Sequence, residues 1–187
     1  MTTLDELQLT GYDSAAARAV TRRLVDVYAD VYADRAGNPF FSVDRFAERL
    51  DLHLSASGYA LVTGELGGEL VGYAYGASLR AGTLWWSGLR EPVEPELLRE
   101  TGHRTFALNE IMVRAPWRRR GIAQRLHAAL LADRPESRAT LLVEQENAPA
   151  LAAYTKWGWR QVGHLQPFPD APVYASMLLD LPAQNFS

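Results

Sequence analysis

Three arginines in a row, Arg118, Arg119 and Arg120, stand directly before Gly121-Ile122-Ala123, where an apolar run ending at Val113 gives way to helical spacing. The chemistry such a segment could do is anion binding. The first turn of a helix exposes backbone N–H groups and the positive end of the helix dipole. Gly121 lets a phosphate approach the backbone, Ala123 adds almost no bulk, and guanidinium groups make charge-assisted bonds to phosphate oxygens. Taken alone, the segment is equally well a solvated basic turn that starts a helix. The dinucleotide fingerprint G-x-G-x-x-G and the nucleotide loop G-x-x-x-x-G-K-S/T are both missing, which disfavours a generic nucleotide fold. Downstream, Asn147-Ala-Pro-Ala150-Leu-Ala-Ala-Tyr154-Thr-Lys-Trp157-Gly158-Trp159 carries the punctuation of a short helix. Asn147 suits the N-cap, Pro149 the first turn and Gly158 the C-cap, and Tyr154 by itself reads as a core aromatic.

The elements that must position these residues follow from periodicity. Val20, Leu24, Val27, Tyr28 and Val31 form a helical stripe, with Ser14 as a cap and Gly37-Asn38-Pro39 as the stop. Ser42–Ser55 predicts a second helix, with Phe46, Leu50 and Leu54 four apart. Tyr59–Leu66 and Leu70–Tyr75 read as strands joined by a Gly67-Gly68 hairpin turn. Residues 77–105 are irregular and carry Trp85 and Trp86. Phe106–Val113 reads as a buried strand stopped by Pro116, and Gly121–Asp133 as a helix presenting Ile122, Leu126, Ala129 and Leu130. A strand at Thr140–Glu144, a helix at Ala148–Trp157 and strands at Gln161–Leu165 and Val173–Leu181 complete a mixed α/β order.

Arg118-x-x-Gly121-x-Ala123 resembles the Arg/Gln-x-x-Gly-x-Gly/Ala motif of the GNAT acetyltransferases, again after a strand and a proline. The second segment is similar to that family's Asn-x-x-Ala-x-x-x-Tyr-x-x-x-Gly-Phe/Trp signature, with Asn147 lying 29 positions beyond Arg118. Two motifs in that order are far more specific than one. The resemblance covers roughly residues 59–181 and is weak over 1–58, where the family varies and often binds the acceptor. It implies one domain over 1–187: N-terminal helices on the acceptor side, then an acetyl-CoA-binding core over 59–181 with a 77–105 insertion. The implied fold is a mostly antiparallel mixed sheet flanked by helices.

The resemblance also implies roles. Backbone N–H groups of Arg119, Arg120, Gly121, Ile122, Ala123 and Gln124 would hold the pyrophosphate of acetyl-CoA, helped by Arg118. Backbone groups of Ile111, Met112 and Val113 would pair with the pantetheine arm like an added strand, and Asn147 would contact that arm. A backbone N–H at the end of the same strand could polarise the thioester carbonyl. Tyr154, whose residue type has a reference pKa of about 10, would protonate the departing thiolate. Many members use a carboxylate on the central strand as base, which points to Glu110; alternation puts Asn109 on the opposite face unless a bulge intervenes. The rival reading of Glu110 is a buried carboxylate bonded to a neighbouring loop. An aromatic acceptor wall from Tyr32, Phe40, Phe41, Trp85 and Trp86 is an expectation, with core packing as its alternative for each ring.

Composition narrows the classes. The 187 residues suit one domain, and 48% hydrophobic residues suffice for its core. A net charge of −3 removes the chain-wide basic field of a nucleic-acid binder, and the lone arginine triplet is thin support for one. With no cysteine there is no disulfide, thiolate metal site or cysteine nucleophile. His103 reads as a surface-loop residue that could titrate near neutrality; His53, His127 and His164 lack paired metal spacing and read as ordinary, so no metal is expected. Met1–Leu9 has neither a basic start nor an apolar stretch, no run reaches membrane length, and a cytoplasmic protein is expected. The reading is therefore an N-acetyltransferase using acetyl-CoA on a primary amine, a small molecule first. The alternatives are a peptide or protein acceptor, or a non-catalytic acyl-CoA sensor. Dimers are common in that family.

Overall fold

The protein is described by a computed structural model over residues 6–182; the reading of Met1–Leu9 falls partly outside that span. Asp13, not Ser14, starts the first helical turn: its carboxylate accepts from the Ala16 N–H at 2.8 Å, opening α1 (Ser14–Ala17). The Ser14 hydroxyl instead donates to the Leu54 carbonyl. The long stripe then becomes α2 (Thr21–Val31), on which Leu24, Val27 and Tyr28 are buried. It stops at Tyr32, earlier than Gly37, because two short 3-10 turns, Ala33–Arg35 and Pro39–Phe41, take up the following residues. Ser42 caps α3 (Val43–Leu54) through the Arg45 N–H, and Phe46, Leu50 and Leu54 are all buried, as their spacing requires.

Seven strands form one mixed sheet in the order β1-β2-β3-β4-β5-β7-β6. They are β1 (Gln8–Tyr12), β2 (Ala60–Leu66), β3 (Glu69–Ser78), β4 (Thr105–Val113), β5 (Arg138–Glu144), β6 (Arg160–Leu165) and β7 (Tyr174–Asp180). Gly67 and Gly68 both adopt positive φ between β2 and β3, the conformation the hairpin demands. β1 lies on the sheet edge, pairing antiparallel with β2, and its sequence gives little sign of it: Gln8, Thr10 and Gly11 are exposed, so it has no apolar run. β4 and β5 are parallel, with register pairs from Thr105–Arg138 to Ala107–Thr140. α4 (Pro95–Leu98), α5 (Ile122–Leu131) and α6 (Ala148–Lys156) complete the fold. Among the described residues, no helix is long and apolar enough to cross a membrane.

The chain divides into two compact units, one of residues 1–77 and 109–132, the other of 78–108 and 133–187. The first has its core where α2 and α3 pack on β2 and β3, with Leu24, Tyr28, Phe46, Leu50, Leu61, Tyr73, Tyr75 and Met112 buried together. The second has Leu79, Trp86, Ala107, Leu165 and Leu178 at its centre. Its irregular 78–104 stretch is tied down by a buried network: Glu100 Oε1 accepts from the Trp86 indole at 3.0 Å and from Arg138 Nη2 and Thr105 Oγ1 at 2.8 and 2.9 Å. Removing one partner of such a buried pair strands the other charge, so the segment is held by more than its apolar contacts.

Gly72 on β3 has a different constraint. A Cβ built there would lie 2.6 Å from the Met112 carbonyl oxygen of β4, closer than any real contact. Gly72→Ala is therefore expected to push β4 away and destabilise the fold by about 1–3 kcal/mol. Equilibrium denaturation checks it; a loss below about 0.5 kcal/mol, the scale of a neutral surface change, would show that the strands have room to spare.

Candidate functional site

In the first unit, β4 ends at Val113 and the chain turns through a short 3-10 segment, Ala115–Trp117, in which Pro116 takes an early position that needs no N–H donor. Arg114 anchors the turn: its N–H bonds the Val71 carbonyl at 2.9 Å, its Nε the Leu70 carbonyl at 2.9 Å, and its Nη1 the Asp30 carboxylate at 2.6 Å. Arg118 Nε reaches back to the Val113 carbonyl at 3.0 Å, closing the loop from below. Arg119 then adopts φ 60° and Gly121 φ 78°. The left-handed region costs a non-glycine residue about 1–2 kcal/mol, so this loop holds Arg119 in a conformation its side chain does not favour.

Gly121 forms the N-cap of α5 with no side-chain capping bond, and helix bonding begins at the Arg125 N–H, 3.1 Å from the Gly121 carbonyl. The N–H groups of Ile122, Ala123 and Gln124 thus belong to the helix's opening turn and have no partner within it. A Cβ at Gly121 would meet nothing within 4 Å, so glycine is required there by φ, with open space in front of the backbone. Arg118, Arg119 and Arg120 are exposed, and the Arg120 guanidinium lies 5.0 Å from the Trp117 ring centre. This donor set fits a diphosphate.

Deeper in the same unit, Glu110 is 19% exposed and stands 4.0 Å from Arg49 Nη2. Burial raises its carboxyl to about 7, against the opposing pull of Arg49. Its charge also acts on Tyr28, Tyr73 and Tyr75, rings that share the first unit's core with Met112, two residues further along β4. His53 Nδ1 lies 3.2 Å from the Tyr75 hydroxyl, and burial, then Arg49, lowers the imidazole to about 4. His53 is therefore a neutral ring beside a tyrosine hydroxyl. Asn109 is half-buried, with its Oδ1 unpartnered among the described residues.

Tyr32, Phe40 and Phe41 come together in this unit. Tyr32 stacks on Tyr28 at 4.5 Å and on Phe41 at 5.5 Å, and Phe40 meets Phe41 edge-on at 5.0 Å. Trp85 and Trp86 belong to the second unit, edge to face at 6.5 Å. Trp86 is 5% exposed and packs in that unit's core, which gives it a structural duty.

The second unit carries α6 with the expected punctuation. Asn147 Oδ1 accepts from the Ala150 N–H at 3.2 Å, leaving the carboxamide NH2 as the donor end. Gly158 takes φ 94° past the helix end. Tyr154 is buried, with Trp157 and Trp159 edge-on at 5.6 and 5.9 Å. His103 is exposed and His164 pairs with Glu91. On α5, burial lowers His127 to about 4. Among the described residues, no group of three or more metal-binding side chains converges.

A mixed sheet flanked by helices is the fold that the two sequence motifs imply. The chain belongs to the Acetyltransferase (GNAT) family, whose profile matches residues 22–159, well over half its length. No curated protein matches it in sequence. Solved structures share its fold at low identity. A GNAT-family acetyltransferase from Staphylococcus aureus is 14% identical, with TM-score 0.65, covering 94% of this chain and 99% of its own. An aminoglycoside 6'-acetyltransferase type Ii is 16% identical, with TM-score 0.63 and coverage of 95% and 99%. The yncA protein of Salmonella typhimurium, a putative acetyltransferase solved with acetyl-CoA, is 16% identical, with TM-score 0.55 and coverage of 97% of each chain.

Sequence reading missed Arg49, Tyr28, Tyr73 and Tyr75 around Glu110. The signal was present: Arg49 and His53 follow Phe46 at i+3 and i+7 on the buried face of α3, and Tyr73 and Tyr75 share a face of β3. The raised carboxyl has a thermodynamic consequence. Between about pH 4.5 and 7 the unfolded chain ionises Glu110 while the folded chain keeps it protonated, so this residue's contribution to stability falls as pH rises through that window. Glu110→Gln removes the effect. The Tm of the variant relative to the parent is expected to climb between pH 5 and 7.5, whereas a pH-independent difference would place the carboxyl in its ordinary range.

Proposed function

We propose that the chain transfers the acetyl group of acetyl-CoA to a primary amine, by direct attack of the bound amine, with a small molecule as the first acceptor to test. The observation that carries this reading is the helix entrance at Arg118–Gln124: left-handed backbone at Arg119 and Gly121, opening N–H groups and three exposed arginines, in a GNAT chain. Acetyl-CoA supplies the activated thioester. Arg119, Arg120, Gly121, Ile122, Ala123 and Gln124 hold its pyrophosphate through backbone N–H groups, with Arg118 beside them. Ile111, Met112 and Val113 offer strand-edge backbone to the pantetheine arm, and Asn147 its carboxamide donors. A neutral amine is needed for attack, and Glu110, held near 7, has the proton affinity to take a proton at neutral pH. As the C–N bond forms and the C–S bond breaks, the proton leaves the amine for Glu110 and Tyr154 gives one to the departing thiolate. Regeneration is a proton exchange with solvent. The reading includes no metal, membrane or nucleic acid; cytoplasmic residence and a homodimer remain part of it as expectations.

Two variants test the two halves. Gly121→Asp puts a carboxylate and a strained φ at the phosphate position and is expected to lower acetyl-CoA affinity at least 100-fold by calorimetry; unchanged affinity would move the diphosphate elsewhere. Tyr154→Phe is expected to lower kcat by 10²- to 10⁴-fold with little change in acetyl-CoA binding, the range for a lost general acid. A thiol-release assay reads the rate, and an unaltered kcat would remove Tyr154 from proton transfer. Tight binding with no thiol release from any amine would instead favour the sensor reading.

A further inference from the structure

The proposed transfer gives Glu110 the amine proton and assigns nothing to the cation beside it. Arg49, on α3, has its Nη2 4.0 Å from Glu110 Oε1, and the two side chains are 23% and 19% exposed. That separation suits an ion pair and exceeds hydrogen-bonding distance. A guanidinium bonded directly to the carboxylate would occupy lone pairs of the oxygens that must take a proton. At 4.0 Å it acts through its charge and leaves them free.

Arg49 is fixed in that place by its neighbours. It hydrogen-bonds the Tyr28 side chain on α2, and the Tyr28 hydroxyl in turn donates to the Phe41 carbonyl at 3.2 Å. Its guanidinium carbon lies 5.7 Å from the Phe40 ring centre and 5.9 Å from that of Phe46, within reach of a cation–π attraction. Phe46 is itself stacked on Tyr28 at 3.9 Å, so the rings that hold the arginine also hold each other. An arginine free in solvent spreads over many rotamers, and these contacts restrict it.

The other groups around the pair carry no charge that could replace it. Burial raises the phenols of Tyr28 on α2 and of Tyr73 and Tyr75 on β3, so all three keep their protons. His53, one turn further along α3, is lowered to about 4 by burial and then by Arg49, and is neutral. Arg35 lies 3.8 Å from the Phe41 ring centre and acts on Tyr28. Among the described residues, Arg49 is the cation that acts on the Glu110 carboxyl.

Resting on the reading of Glu110 as the base, we propose that Arg49 is a positioning residue for acetyl transfer, its charge held 4.0 Å from the carboxylate so that Glu110 can take the amine proton at neutral pH. Without the guanidinium, burial acts on the carboxyl unopposed, its folded-state value climbs further above about 7, and the base is protonated at neutral pH. Arg49 thus sets the acid limit of the reaction.

The test is the ratio of parent to variant kcat/KM against pH, read by thiol release with one amine that the parent acetylates, so that the amine's own ionisation cancels. Arg49→Met keeps an apolar stem against Phe40 and Phe46 and removes the charge. The expected ratio is at least about tenfold at about pH 6 and closes towards unity by about pH 9.5, the signature of a carboxyl moved up by at least about one pH unit. Arg49→Lys, which keeps the charge, should hold the ratio below about threefold at about pH 6. A ratio that is the same at every pH would overturn the proposal, because an arginine needed only for packing lowers the rate without moving the profile. So would an Arg49→Lys profile identical to that of Arg49→Met. A carbon-13 titration of the Glu110 carboxyl without substrates reads the same interaction apart from turnover. Its midpoint, about 7 in the parent, is expected to rise by at least about one pH unit in Arg49→Met, and an unmoved midpoint would overturn the proposal even in an active enzyme. A midpoint that moves in a chain releasing no thiol with any amine would instead overturn the transfer reading, and the role in transfer with it.

Discussion

The backbone between Val113 and Gly121 is the constraint on which the site depends. A strand that ends and a helix that begins nine residues later, at Ile122, could be joined by any exposed loop. Here the loop is pinned from beneath by Arg114 on Leu70, Val71 and Asp30, and by Arg118 on Val113. Those bonds use carbonyls and a carboxylate, so the N–H groups of the opening helical turn are not consumed in holding the loop. Left-handed conformations at Arg119 and Gly121 then turn the chain into α5 without a side-chain cap. A serine or aspartate cap would satisfy one of those N–H groups; glycine satisfies none. The sequence therefore gives up capping stability at the place where an anion can supply it.

A second constraint lies under the loop, on the same strand. Glu110 is carried among the phenols of Tyr28, Tyr73 and Tyr75, where burial favours its neutral form, and Arg49 is close enough to oppose that shift but not to cancel it. The carboxyl is left near 7, where it can both take and release a proton. His53 responds in the opposite direction to the same surroundings: burial and Arg49 both disfavour its charged form. Proton affinity in this unit is thus concentrated on one group. That concentration rests on packing of α3 against β3, because Arg49 and His53 come from one and Tyr73 and Tyr75 from the other.

The helices and strands that carry a strong period were legible in the sequence: α3 and its buried Phe46, Leu50 and Leu54, the β2–β3 hairpin with its two positive-φ glycines, and α6 from Asn147 to Gly158. So were the two motif segments, because cap and turn chemistry is local. What was hidden depends on neighbours distant in the chain. β1 has no apolar run of its own and is a strand only because β2 offers an edge. Asp13 wins the cap from Ser14 because the Ser14 hydroxyl is drawn to Leu54, forty residues away. Trp86 looked like a candidate wall residue by type, yet its indole bonds Glu100 within a core. Gly72 gave no sign that another strand lies against it.

Two carboxylates differ in how closely their partners hold them. Glu100 in the second unit receives a guanidinium, an indole and a hydroxyl on one oxygen, all within 3.0 Å. The guanidinium of Arg138 is thus in direct contact with it. Glu110 in the first unit has its cation at 4.0 Å, and the charge it carries when ionised acts on the phenols of Tyr28, Tyr73 and Tyr75. The two arrangements differ in distance more than in completeness, since Glu100 Oε2 has no partner among the described residues.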